Sequence, residues 1–359
     1  MKDRDISIDI MKGLAILAIV WGHAGIKGSG FFYLFHVPLF FILSGYMEST
    51  KTIENFASAF KKKVKALYLP YVAYGLIFLL IRNFSVDLKM YSEYFRVDSV
   101  RDLAKNLFFI FTFNNVDPIF LGPLWFVFAL FVANGAFFFL LSVTRNIGNS
   151  KWNAFLILCV ALAVLLVLRF AFPGAHLSNW GNTTGETLIL AIAFVATGFL
   201  LKGVLQKKNT GLVLVSFLLL CSVYRESNFA VDVRAARYDS LLELGASSLL
   251  GFYFTKSIAE YLGSWNNWAT RYLAKIGQYS FSIMALHLLG MKFSQVLVVA
   301  WQHDWDFTIY TYALVPHRLF GFLYFAAGVL GCLVYIHGKE LIVNQWGRFC
   351  TSKMPDNRG

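Results

Sequence analysis

The chain has 359 residues, 58% of them hydrophobic and only 14% charged, where an ordinary soluble domain carries roughly a quarter charged residues. No soluble fold of this length hides so much apolar surface, so lipid must solvate much of it. The formal charge is +12, from 32 Lys+Arg against 20 Asp+Glu, and in so apolar a chain that excess orients helices in a bilayer; nucleic acid is excluded as a partner.

Ten apolar segments follow in chain order, at 10–26, 31–47, 66–82, 122–142, 153–172, 186–202, 210–223, 239–255, 276–300 and 318–337. Most reach the roughly 17–25 residues that a spanning helix needs. The expectation is an all-α, polytopic membrane protein of about ten transmembrane helices. Residues 1–338 form the membrane domain, and residues 339–359 form a short basic cytoplasmic tail.

The first segment follows Asp3, Asp5 and Asp9 and lacks a small-residue cleavage site, so it reads as a retained helix. It carries Lys12 and His23, eleven positions apart. At 100° per residue the two share a face, about 16 Å apart along the axis. A cation near one end and an imidazole deep in the helix suit a long anionic cofactor. The same residues also suit an orienting lysine and a hydrogen-bonded core histidine.

The second segment holds His36 and Pro38 within an apolar run, then Ser44-Gly45. Pro38 removes a backbone hydrogen bond and is expected to kink the helix beside His36. The linker of about seven residues makes the first two segments an antiparallel hairpin, with His23 and His36 near its outer half. Gly25 to Gly30 superficially suggests a phosphate loop, but it follows a helix and lies outside.

Lys61, Lys62, Lys63 and Lys65 form a basic inner loop before Pro70. It serves orientation and anionic lipid, or the phosphates of a cofactor. Leu103–Phe113 is too short to span and is expected to be re-entrant or interfacial. Trp125 opens the fourth segment and suits an interfacial anchor. In the ninth, Ser280 and His287 are seven apart and share a face. The four cysteines, Cys159, Cys221, Cys332 and Cys350, are scattered and predict neither disulfides nor a metal site.

With ten alternating helices and the N-terminus in the cytoplasm, the inner loops and tails hold 20 Lys+Arg and the outer loops 10. That bias predicts both termini cytoplasmic. Two glycosylation sequons, at Asn83 and Asn182, then fall in outer loops.

These residues together resemble the membrane acyltransferase-3 family of bacterial sugar-modifying enzymes. Asp9 to Gly13 with His23 fits the family's Arg/Lys-x10-His motif. Phe35-His36-Val37-Pro38-Leu39-Phe40-Phe41 with Ser44-Gly45 follows, then the basic cluster, Leu124-Trp125-Phe126, and Gly277 to Ser280 with His287. Lysines stand at Lys12, Lys62 and Lys65 where many members use arginine. The resemblance implies an O-acyltransferase of the bacterial inner membrane, most simply an O-acetyltransferase. Acetyl-CoA (or another acyl-CoA) would be the donor, bound from the cytoplasm, with a carbohydrate or glycolipid acceptor, membrane lipids around it and no metal.

It implies His23 as general base, with His36 stabilising the oxyanion or orienting His23, and leaves open a route through an acyl-histidine. Lys12, Lys62 and Lys65 would hold the donor's phosphates, and Asp9, Ser44, Trp125, Ser280 and His287 would complete the site. The rival reading is a transporter or flippase for a lipid-linked sugar, against which no internal repeat pairs the two halves.

Overall fold

Asp5 starts the first helix by accepting the Ser7 N–H at 2.9 Å, a short acidic side chain satisfying one of the free donors at a helix start. The computed structural model describes residues 5–49, 55–88, 90, 92–114, 121–171, 180, 183–205, 209–226, 231–301 and 320–351, with side chains of the last helix as far as residue 338. Among them α1 (Ile6–His23) is followed by α2 (Ser29–Tyr33), α3 (His36–Met47), α4 (Phe56–Lys63), α5 (Leu69–Asp87) and α6 (Val100–Phe111). Then come α7 (Trp125–Val143), α8 (Ser150–Ala171), α9 (Gly185–Leu201) and α10 (Thr210–Glu226). The series ends with α11 (Leu241–Trp265), α12 (Trp268–Gln278), α13 (Ser280–Trp301) and α14 (Gly321–Thr351).

The described residues contain no strand, only two isolated bridges. Every one of the ten predicted segments carries helix. Among the described residues, seven stretches are long and apolar enough to cross a bilayer: Ile6–His23, Ser29–Met47, Phe56–Asp87, Gly122–Val143, Ser150–Ala171, Ser280–Trp301 and Gly321–Gly338. Of the other three, α9 and α10 have 17 residues each, and α11, with 25, is not apolar enough. The protein is therefore an all-α, polytopic membrane protein.

Three details depart from the expectation. The second segment breaks before His36, at Leu34-Phe35, and Pro38 lies in the first turn of α3. There its missing N–H costs nothing, because the first N–H groups of a helix have no partner within it. Proline starts this helix; it does not bend it.

The basic cluster is not a loop either. α4 runs into α5 through a π turn at Val64–Tyr68, where the Leu69 N–H reaches back to the Val64 carbonyl. Pro70 follows one residue later. Its ring would clash with the carbonyl four residues back in a regular helix, and the wider turn relieves that clash.

Asn83 belongs to α5, not to an outer loop, and its amide pairs with both backbone groups of Val97, at 2.8 and 2.9 Å. Asn182 lies outside the described residues. α6 is a 12-residue amphipathic helix, too short to cross, docked through Ile110 onto Gly75 of α5. α14 passes residue 338 without a break.

Two helix crossings fix the core. α1 lies on α12 with Gly13 against the Leu273 carbonyl and Gly277 against the Asp9 carbonyl. α3 lies on α9 with Gly45 against the Val195 carbonyl and Gly198 against the Ile42 carbonyl. A Cβ at any of these four positions would fall inside a backbone atom. Small residues allow this approach, and in lipid such backbone packing is a main source of helix association.

Candidate active site

α1 runs through the middle of the fold, touching α2, α3, α11, α12, α13 and α14. His23 is its last residue. Its side chain is exposed at the end of the helix.

The His287 ring, from α13, stands 5.2 Å from the His23 ring, centre to centre. His287 is wholly buried, and its Nδ1 lies 3.0 and 2.9 Å from the carbonyls of Ile283 and Met284. A carbonyl only accepts, so Nδ1 carries the proton and Nε2 is a bare lone pair. That Nε2 is buried and has no hydrogen-bond partner among the described residues.

His36 is held in the same way. At the break before α3 the Phe32 carbonyl accepts the Phe35 N–H at 3.1 Å, and its second lone pair accepts from His36 Nδ1 at 2.6 Å. This fixes its Nε2 as an acceptor as well. The Tyr33 ring packs edge-on against His36 at 4.8 Å and also closes over Gly22.

His36 and His23 lie within electrostatic reach of each other, and Arg234 lies within reach of His23. Thr187 steadies the turn that carries Arg234 by donating to the Val233 carbonyl at 2.7 Å. Three histidines from three helices thus form one cluster, with two of the rings locked as acceptors.

The other expected residues lie elsewhere. Lys12 is half-buried in the wall of a pocket of about 380 Å³, together with Asp5, Ile8, Asp9, Tyr46, Met47 and Lys202. None of the three histidines lines it. Asp9 is buried and accepts from Gln278 at 3.0 Å. Lys202 closes the end of α3 by donating to the carbonyls of Met47 and Glu48, at 3.3 and 2.6 Å.

Lys62 and Lys65 point outward, exposed, and do not line the Lys12 pocket. Lys63 turns inward instead, pairing with Glu48 at 2.8 Å and donating to Ser44 Oγ at 3.1 Å. Ser44 in turn donates to Asn134 at 2.9 Å, so it belongs to this polar knot and not to the histidine cluster. Trp125 is half-buried at the start of α7 against Phe126. Ser280 is the first residue of α13, two turns before His287.

Sequence reasoning passed over Tyr33, Arg234 and Asn134, and it read Lys63 only as one member of the basic cluster. Lys63 had a signal: it falls at helical spacing after Phe56, Ala59 and Phe60, the inward stripe of α4. Arg234 had none, because its place depends on a turn packed against another helix.

Fold and site define a polytopic α-helical membrane protein built around a histidine cluster at the end of its central helix. Residues 5–337 match the family model of the acyltransferase-3 domain, described as an acyltransferase domain. The chain belongs to that family, and it is a membrane acyltransferase. No curated protein and no solved structure matches it.

Proposed function

We propose that the protein is an O-acyltransferase that moves an acyl group, most simply acetyl from acetyl-CoA, to a hydroxyl of a carbohydrate or glycolipid at the bacterial inner membrane. The observation that carries this reading is the lone pair of His287 Nε2, buried without a partner among the described residues beside the exposed ring of His23.

In this reading the acceptor hydroxyl attacks the thioester carbonyl and gives its proton to His23. The tetrahedral intermediate collapses, the carbon–sulfur bond breaks, and the proton passes to the departing thiolate. His287 offers its lone pair to the His23 imidazolium, as the third member of a base–orienter arrangement does. His36, turned by Phe32, holds the acceptor hydroxyl or His23 in line.

On the donor side, Lys12 and Lys202 at the pocket rim meet the phosphates, with Lys62 and Lys65 as outer charges. About 16 Å of helix separates Lys12 from His23, a span that the pantetheine arm covers. The domain would end near residue 338, with the basic tail beyond it in the cytoplasm.

The test is release of free CoA thiol from acetyl-CoA by the purified protein. His23→Ala and His36→Ala are each expected to slow it about 10²–10⁴-fold, with elution profile and helicity unchanged. Wild-type rates in both variants would refute the reading.

A further inference from the structure

Beyond the histidine cluster, α13 carries polar residues that the reaction above does not use. Gln295 is only 2% exposed, and neither its Nε2 nor its Oε1 has a hydrogen-bond partner among the described residues. A buried amide with both ends dry is costly in a protein interior and more so in a membrane helix, where such residues face a cavity or bind something. Lys292, one turn earlier, is also 2% exposed. From His287, the helix rises about 7.5 Å to Lys292 and about 12 Å to Gln295. The three residues occupy an arc of about 140°, with Gln295 between the other two.

The side of the membrane protein on which Gln295 lies follows from two contacts. Gly13 meets Gly277, and ten residues further along each stretch His23 meets His287. α1 and the α12–α13 rod therefore run in parallel. α1 ends at His23, while α13 continues to Trp301. Gln295 thus stands past the end of α1, on the far side of the histidines from the Lys12 pocket. If the donor comes from the Lys12 end, Gln295 faces the acceptor's route.

We propose that Gln295 binds the acceptor, its amide hydrogen-bonding hydroxyls next to the one that is acylated. This rests on the acyl-transfer reading above. An amide offers two donors and an acceptor on one small plane, which adjacent hydroxyls of a sugar ring satisfy together. A hydrocarbon or a simple anion leaves half of it unmet.

The experiment uses the purified full chain, acetyl-CoA, and methyl glycosides of glucose, galactose, mannose and rhamnose, with glycerol as a triol without a ring. The readout is acceptor-dependent and acceptor-free thiol release. Gln295→Met keeps the length and removes the amide. It is expected to raise KM for the glycoside at least about tenfold, as loss of a hydroxyl-reading group does. Acceptor-free release and the KM for acetyl-CoA should stay within about twofold, and thermal stability should hold or rise because a dry amide is gone.

An unchanged glycoside KM in Gln295→Met overturns the proposal, and so does a parallel loss of acceptor-free release. If the wild type releases no thiol under any condition, the acyl-transfer reading has failed instead. The site is then judged by thermal shift with the same glycosides. A wild-type shift that Gln295→Met abolishes keeps it, and no wild-type shift overturns it.

Discussion

His23 and His287 hold their rings 5.2 Å apart from opposite ends of the chain. The contact joins one ring that is exposed to one that is fully buried. If they work as a unit, their losses do not multiply. His287→Ala is expected to lower kcat about 10²-fold with little change in the KM for acetyl-CoA, and His23→Ala/His287→Ala to be no slower than His23→Ala alone. Multiplying losses would mean that the two rings act independently.

Reversing the charge at Lys12 tests the donor path. Lys12→Glu is expected to raise the KM for acetyl-CoA about tenfold in low salt, and the penalty should shrink at high ionic strength because the pocket is open. Lys12→Arg should stay near wild type. A salt-independent effect of Lys12→Glu would point to a folding defect.

Lys63 separates stability from binding within the basic cluster. Lys63→Met leaves Glu48 unpaired in a site where both side chains are 13% exposed. Breaking such a pair from one side costs up to about 3–5 kcal/mol, and Lys63→Met/Glu48→Gln should recover most of it. Lys62→Ala and Lys65→Ala should each change stability by less than about 0.5 kcal/mol. Thermal unfolding in detergent reads all four.

The glycine crossings predict where a single methyl group is not tolerated. Gly198→Ala and Gly277→Ala push a Cβ into a backbone carbonyl, and overpacking of this kind typically costs about 1–3 kcal/mol. Gly245→Ala, in α11, meets nothing within 4 Å, and should gain about 0.5–1 kcal/mol from helix propensity. Thermal midpoints of the three variants settle the order.

Orientation is tested by reporters. With 20 inner against 10 outer basic residues, a phosphatase that works only outside the cytoplasm should be silent when fused after Gly359. Activity there would invert the topology.

Much of the fold was legible because apolar runs and lipid leave the chain little choice but helix. Helical spacing also placed Lys12 and His23 on one face without reference to any other helix. What pairs helices was not legible. The meeting of His23 with His287 depends on the register that Gly13 and Gly277 set, and nothing local to either segment announces it. The inward turn of Lys63 against the outward turn of Lys62 and Lys65 was readable from the aromatic stripe of α4, but a run of lysines reads as one charge cluster. Pro38 was misplaced because a proline within an apolar run signals a bend, while the break came three residues earlier.

The two glycine crossings divide the cluster between two stiff pairs. His23 rides on the α1–α12 pair, with His287 on its continuation, and His36 rides on the α3–α9 pair. Backbones in contact cannot slide past one another without steric clash, so each pair moves as a single lever. Any shear that the site feels is taken up along the seam between them. A shear there would change the gap between His23 and His36 more than the gap between His23 and His287.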